Sequence, residues 1–502
     1  MQIRLQAWPC QIPHRPLWGF ALLSGMLLGL SFPPVPVPGL VLSALVPLLL
    51  ALERVRTPVQ ALQAGMITTL VWVGLALHWT LKHAIAAAAF AAAVGLICLA
   101  LLMAGPAAIA TAVRLRRGQP VALAAFVLSW AALEALLTYG PLPFPWLQLG
   151  YATLPLPLLD GLIAAVGTPG LSLWVLGTNV LVYALLRMRR LLSMGLLLGW
   201  LVLPLLFPGP SRPARPPVVP LLVVQHGIPA PAWDEMPGPD RLAHLLHLTE
   251  SALDTASVQP LLILWPETAL PDTTLLGRLR NWVARTQLPL LTGAIVPTHS
   301  PASRFAYTNS ALLLVPDAPV ARYDKQRLVP FAEQVPLVDI FPTLQVLAVP
   351  AGGVAGYQPG QAPARFRVGP LRPGVLICFE SFFGNLARRS AEEGANLLVV
   401  LTQDGWWGRG PVYWQHVQAA RLRAIETGRA VVQVGADGLT ALVLPSGRIR
   451  HSLPLHQAAA RLIQVPLYAQ VTPLVKTGDW LTPTLLLSLL LLFGWTFLPK
   501  RR

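Results

Sequence analysis

The sequence predicts a polytopic helical membrane domain carrying a layered α/β domain on one face of the bilayer, on three observations. Only 12% of the 502 residues are charged, against about 25% in ordinary soluble proteins, and 54% are hydrophobic. Seven apolar stretches precede residue 208 and an eighth ends the chain. Between the seventh and the eighth, residues 211–470 change texture, with short Val/Ile/Leu runs alternating with amphipathic stretches. The predicted domains are 1–210 in the membrane, 211–470 outside it, and 471–502 as a last span with a basic tail.

The apolar stretches are 17–32, 39–52, 59–81, 84–113, 121–139, 161–186, 191–207 and 480–498. A span needs about 20 helical residues, which the third to eighth reach or nearly reach. The first two are shorter and separated by Pro33, Pro34, Pro36 and Pro38, so they either span or form a shallow hairpin. In both cases the chain returns to the side it started from.

Charge sets the orientation. With the N-terminus inside, the inner segments carry Arg4, Arg15, Arg54, Arg56, Arg114, Arg116, Arg117, Arg187, Arg189, Arg190, Lys500, Arg501 and Arg502, while the short outer loops hold only Lys82. Both termini are therefore expected in the cytoplasm, the 211–470 region outside, and the first apolar segment retained as an anchor. The net charge of +16 is distributed this way rather than over a soluble face, which argues against nucleic acid as a partner. Cys10, Cys98 and Cys378 are far apart and form no CxxC pair, so neither a disulfide framework nor a thiolate metal site is indicated. No HExxH motif and no GxxxxGK[ST] loop is present, so no metal, nucleotide or other cofactor is expected. His226 and His416 are read as structural.

The outer region opens with a Pro/Arg linker, 208–217. Strand-like runs follow at 218–224, 261–265, 290–295, 311–315, 374–378, 397–401, 430–434 and 439–444, with helix-like stretches at 240–256, 274–286, 383–393 and 413–427. An active site is expected at the strand ends.

Three residues there carry chemistry. Cys378 closes Gly-Val-Leu-Ile-Cys just before a helix-like stretch, a place for an exposed nucleophile, although a lone cysteine also serves as a small buried hydrophobe. Glu267, in Leu-Trp-Pro-Glu-Thr, is either a general base past a strand end or a carboxylate capping the next segment. Lys325, in Arg-Tyr-Asp-Lys-Gln-Arg, either steadies an oxyanion or is a solvated surface charge.

Each follows an apolar run, in the order Glu, Lys, Cys. Together with Trp265-Pro266-Glu267-Thr268, Tyr323-x-Lys325-x-x-Leu328-Val329-Pro330-Phe331-x-Glu333 and Ile377-Cys378-Phe379-Glu380, this resembles the nitrilase (carbon–nitrogen hydrolase) superfamily. That resemblance implies a four-layer α-β-β-α sandwich and a Glu267–Lys325–Cys378 triad. With the membrane segments, the segment 144–151, Asp404-Gly405-Trp406-Trp407, Trp414-Gln415-His416 and the run from Thr472 to Trp480, the chain resembles the apolipoprotein N-acyltransferase family over nearly its whole length.

That resemblance implies a two-step acyl transfer in the bacterial inner membrane. The acyl donor would be a phospholipid, the intermediate a thioester on Cys378, and the acceptor the α-amine of a diacylglyceryl-cysteine at an apolipoprotein N-terminus. It implies that Glu333 orients Lys325 or the substrate ammonium, that Glu380 supports the site, and that a monomer suffices. Phe379 stands where the family often has tyrosine, Gln403 where asparagine is usual, and Leu137 where arginine is common, which leaves Glu134 without an evident partner. Apolar loops at 227–233, 340–350 and Trp406-Trp407 suit the lipid boundary, with Trp233 chosen for acyl-chain contact. Two other readings stay open: a membrane-tethered amidase or nitrilase, and a transporter or lipid-binding scaffold with an inert outer domain.

Overall fold

The computed structural model describes residues 16–34, 37, 39–83, 86–140, 142–154, 156–188, 191–209, 215–298, 307–335 and 356–498. Its N-terminal part is helical: α1 (Pro16–Leu30), α2 (Val46–Leu52), α3 (Pro58–Leu77), α4 (Ala86–Arg117), α5 (Gln119–Tyr139), α6 (Asp160–Met188) and α7 (Leu191–Val202). Among the described residues four helices are long and apolar enough to cross a bilayer: 58–82, 88–117, 119–139 and 160–187. Four more apolar helices, at 17–30, 40–52, 191–206 and 481–497, are shorter.

Local chemistry sets the boundaries. Pro58 opens α3, where its missing N–H costs nothing, and Thr57 Oγ1 caps the end by accepting from Gln60 N at 3.2 Å. Close helix contact needs small residues: a Cβ on Gly65 of α3 would lie 2.9 Å from the Ala104 carbonyl oxygen of α4. Large apolar side chains face outward, including Phe90, Leu191, Leu206 and Leu490, as expected of a surface solvated by lipid.

Three of the basic side chains at helix ends make contacts to neighbouring segments. Arg114 Nη1 donates to the Glu53 carbonyl at 2.7 Å, and Arg187 Nε pairs with the Glu53 carboxylate at 3.0 Å. Arg117 reaches the Leu498 carbonyl at 3.0 Å, at the end of the C-terminal helix.

The second part is a sandwich of two sheets. Its strands are β1 (Val218–Gln225), β2 (Leu262–Leu264), β3 (Leu290–Pro297), β4 (Tyr307–Leu314), β5 (Ala321–Asp324), β6 (Pro373–Ile377), β7 (Leu397–Thr402), β8 (Ala430–Gly435), β9 (Ala441–Val443), β10 (Ile449–Ser452) and β11 (Ala459–Pro466). One sheet has the order β11-β1-β2-β3-β4-β5 and the other β10-β9-β8-β7-β6. The parallel pairs are β1/β2, β2/β3, β6/β7 and β7/β8, and the antiparallel ones are β1/β11, β3/β4, β4/β5, β8/β9 and β9/β10. Helices α8 (Ala230–Glu235), α9 (Gly238–Asp254) and α10 (Leu276–Thr286) belong to the first sheet's half, and α11 (Gly384–Glu392) and α12 (Val412–Thr427) to the second's. The chain then passes through α13 (Pro473–Thr477) into α14 (Leu481–Phe497), which packs on α5.

Strand alternation separates the layers. Val375 and Ile377 of β6 join Leu221, Leu264 and Leu291 in the core between the sheets. Ile263 and Trp265 instead pack under α9 and α10. Leu376, Leu398 and Val400 face the other way into a core that is continuous with the membrane helices and includes Trp72, Trp130 and Trp146. Helix α12 lies in that layer and is buried on nearly all sides, as a helix between two packed layers must be.

A buried ion pair fixes the seam. Arg423 Nε of α12 lies 2.8 Å from Glu426 Oε2, and Glu426 Oε1 accepts from Thr168 N at 2.8 Å and Thr168 Oγ1 at 2.6 Å. Thr168 follows Gly167, whose φ of 65° breaks α6. A carboxylate from the sandwich therefore satisfies the donors freed by the break.

Candidate active site

Strand ends of both sheets supply the site. Cys378 leaves β6 at a φ of +51°, a left-handed conformation that costs a non-glycine residue energy, and opens a 3-10 turn, Cys378–Phe382. Glu267 sits beyond β2, after Trp265 and Pro266, and the loop lies so close to β3 that a Cβ on Gly293 would come within 2.5 Å of the Glu267 Cα. Lys325 directly follows β5, its amide donating to the Asn309 carbonyl at 2.8 Å.

The structure brings Glu267, Lys325 and Glu333 into one buried cluster. Lys325 Nζ, 1% exposed, donates to Glu267 Oε1 at 3.1 Å and to Glu333 Oε1 at 2.8 Å. Asn309 Nδ2 bridges the same two oxygens at 2.8 and 3.2 Å, and Gln403 N donates to Glu267 Oε2 at 2.7 Å. An ammonium has three protons, so Lys325 keeps one beyond these two bonds. Burial works against the ammonium, but Glu267 and Glu333 hold its pKa well above the usual lysine range. Burial, followed by the Glu267 charge, pushes the Cys378 thiol well up, with Lys325 pulling the other way. Cys378 is therefore held toward the neutral thiol.

Glu333 and Glu380 brace this arrangement. Glu333 Oε2 accepts from Val329 N at 2.8 Å, fixing the turn after β5. Glu380 Oε1 accepts from Gln326 N at 2.6 Å and Tyr323 Oη at 2.9 Å, while Oε2 accepts from Ile377 N at 2.7 Å. It thus ties the lysine's strand end to the cysteine's, and burial raises its pKa to about 7.

The cysteine's turn is also part of the seam with the membrane helices. The Phe379 ring lies 6.1 Å from those of Phe144 and Trp146, Trp146 stacks on Phe382 at 3.8 Å, and Tyr151 Oη donates to the Phe382 carbonyl at 3.1 Å. Glu134 has neutral partners. Its Oε1 accepts from Leu149 N at 3.0 Å and Trp130 Nε1 at 3.2 Å, so it anchors the segment that carries Trp146.

Trp233 is placed differently from its expected role. It is wholly buried, stacked on His226 at 3.8 Å beneath α9, and offers no face to an acyl chain. A hydropathy pattern does not separate an interfacial indole from a packed one. Trp406 and Trp407 lie against His83, with centroids at 5.7 and 4.6 Å, at the domain seam. The apolar loop at 340–350 lies outside the described residues.

Asn309 was missed in the sequence because a polar residue in a strand reads as an outward-facing one. His416 is fully buried and touches Asp404 and the Cys378 carbonyl. Ligand-type atoms of Cys378, Asp404 and His416 lie within 4.8 Å of one another, but both ring nitrogens are already engaged, so a cation would have to displace those bonds.

Comparison with known proteins places this geometry in a family. Residues 24–181 match the model of the apolipoprotein N-acyltransferase N-terminal domain, and residues 223–460 match that of the carbon–nitrogen hydrolases. The apolipoprotein N-acyltransferase of Chlorobaculum tepidum is 30% identical, over 90% of this chain and 91% of its own length. The chain belongs to the apolipoprotein N-acyltransferase family. Other members are similar to the same degree: that of Geobacter metallireducens is 31% identical over 89% of both chains, and that of Pseudomonas syringae 31% identical over 75% of this chain. Membership makes the protein an acyltransferase of the carbon–nitrogen hydrolase superfamily with a helical membrane domain.

Proposed function

We propose that the protein moves a fatty acyl chain from a phospholipid to the α-amine of a diacylglyceryl-cysteine at the N-terminus of an apolipoprotein, on the outer face of a bacterial inner membrane. Cys378 Sγ attacks the ester carbonyl while Glu267 takes the thiol proton. Glu267 Oε1 already has two donors and Oε2 one, which leaves Oε2 a lone pair for that proton. The remaining Lys325 proton stabilises the tetrahedral oxyanion in a site with little water. The C–O bond then breaks, Glu267 returns the proton to the leaving alcohol, and a lysophospholipid departs from the thioester.

In the second half the acceptor amine attacks the thioester carbonyl, the C–S bond breaks, and the amine's proton passes through Glu267 to the departing sulfur. The products are an amide and the free thiol, with ping-pong kinetics. The buried Glu267–Lys325–Glu333 cluster beside the thiol supports the chemistry.

One observation favours transfer between lipids over hydrolysis of a small soluble substrate. The nucleophile's turn packs directly on Phe144, Trp146 and Tyr151 of the membrane domain, which ties the thiol's strand end to the helices that sit among acyl chains. The test is incubation of the protein with phospholipid labelled in its acyl chain, followed by peptide mapping. A labelled thioester on Cys378 that persists until an amine acceptor is added supports the reading. Release of free fatty acid without a Cys378 adduct would replace it with the tethered hydrolase.

A further inference from the structure

We propose that Gln415 and His416, adjacent on α12, couple the seating of the sandwich on the membrane helices to the posture of the nucleophile, with His416 acting as a positioning residue through the Cys378 carbonyl. The inference rests on the reading of Cys378 as the nucleophile.

Gln415 reads the seat. Its Oε1 accepts from Trp79 Nε1 at 3.0 Å and Trp146 Nε1 at 2.7 Å, and its Nε2 donates to the carbonyls of Ala76 at 2.8 Å and Pro33 at 3.2 Å. An indole N–H only donates and a backbone carbonyl only accepts, so the orientation of the amide is unambiguous and its hydrogen-bonding capacity is full. All four partners belong to the membrane domain: the chain after α1, the end of α3 with the turn beyond it, and the segment after α5. One buried side chain of the sandwich thus fixes three membrane segments relative to α12.

The next residue faces the cysteine. His416 Nε2 lies 3.0 Å from the Cys378 carbonyl oxygen and Nδ1 lies 2.9 Å from Asp404 Oδ1. Neither partner has a proton to give, since one is a carbonyl and the other a carboxylate that already accepts from Thr402 Oγ1 at 3.0 Å. A ring with one proton satisfies only one of them, so both bonds form together only when the ring carries two, and the bond to the Cys378 carbonyl requires the Nε2 proton. Burial alone would lower the histidine's pKa, but Asp404 and the carbonyl raise it on balance.

The carbonyl that His416 holds belongs to the residue at φ +51°. A non-glycine residue persists in that region only where its surroundings over-determine it. Without the Nε2 donor the buried carbonyl keeps only the i→i+3 bond of its own 3-10 turn, the left-handed φ loses the contact that fixes it from outside, and Cys378 can swing toward negative φ, which moves Sγ away from Glu267 and Lys325. The consequence is slower acylation with unchanged phospholipid binding.

The test compares two isosteres in the full-length protein, embedded in phospholipid nanodiscs, by rates of Cys378 thioester formation. In His416→Gln the amide reaches the Nε2 position and still donates to the carbonyl. In His416→Asn it reaches only the Nδ1 position and loses that bond. Expected is a kcat within about threefold of wild type for H416Q and lowered about tenfold or more for H416N, both with unchanged KM. Gln415→Leu, if it retains a cooperative melting transition, is expected to lower kcat without raising KM. Should Q415L fail to fold, the H416Q/H416N pair still decides. Equal rates for H416N and H416Q, or a loss expressed in KM, overturn the inference while a wild-type thioester on Cys378 leaves the nucleophile reading intact. An acyl adduct in Cys378→Ala would overturn the nucleophile reading itself.

Discussion

Replacing Lys325 by methionine perturbs the site in two ways that two assays separate. Nζ stands between Glu267 Oε1 and Glu333 Oε1, at 3.1 and 2.8 Å, and its removal leaves two buried carboxylates facing each other across Asn309. At roughly 5 Å and an effective dielectric of about 20, their repulsion is about 3 kcal/mol, which works against the fold. On the proposed mechanism, loss of the cation from the oxyanion position costs a factor of about 10²–10³ in kcat. K325M is therefore expected to form the Cys378 thioester about 10²-fold or more slowly and to melt at a lower temperature than wild type. Stopped acylation assays and melting curves measure the two effects. Acylation within tenfold of wild type, or an unchanged melting temperature, would refute this electrostatic reading of the cluster.

Three further outcomes are expected. Glu380 has its carboxyl raised from 4.5 to about 7 by burial, so its contribution to stability is full below about pH 4.5 and is lost as the pH climbs to about 7. Melting curves should show wild type losing up to about 3 kcal/mol across that window relative to E380Q, which stays neutral throughout. Restoring the family's usual hydroxyl with F379Y should lower the melting temperature, at a cost of about 1–3 kcal/mol for a polar atom added to the Phe144–Trp146–Phe383 ring cluster, without speeding acylation. E426A leaves Arg423 buried and unpaired against the α6 break and should cost about 3–5 kcal/mol, read as a lower melting temperature in detergent.

Parts of this fold are legible in the sequence for a simple physical reason. Strands β6, β7 and β8 are covered on both faces, by the sandwich core on one side and by α12 and the membrane helices on the other, so they read as largely apolar runs, interrupted in β8 by Gln433. The edge strands β5, β10 and β11 are half exposed and carry Arg322, Arg450 and Arg461, so no run marks them. Glu267 and Cys378 stand out because each sits at the end of an apolar run, and Lys325 because of the specific local motif around it. Asn309 and the His416 contact do not, since one lies within a strand and the other binds a backbone carbonyl, which every residue possesses. Trp233 shows the limit from the other side: its proline-flanked apolar setting suits a lipid interface as well as the buried stack it occupies.

The decisive measurement is the intact mass of a lipoprotein's N-terminal peptide after reconstitution of the diacylglyceryl precursor with phospholipid and this protein. Wild-type protein should add one acyl chain to the α-amine and release one lysophospholipid for each chain added, while Cys378→Ala adds none. An unmodified amine with wild-type protein, or an added chain with the Cys378→Ala variant, would contradict acyl transfer through this thiol.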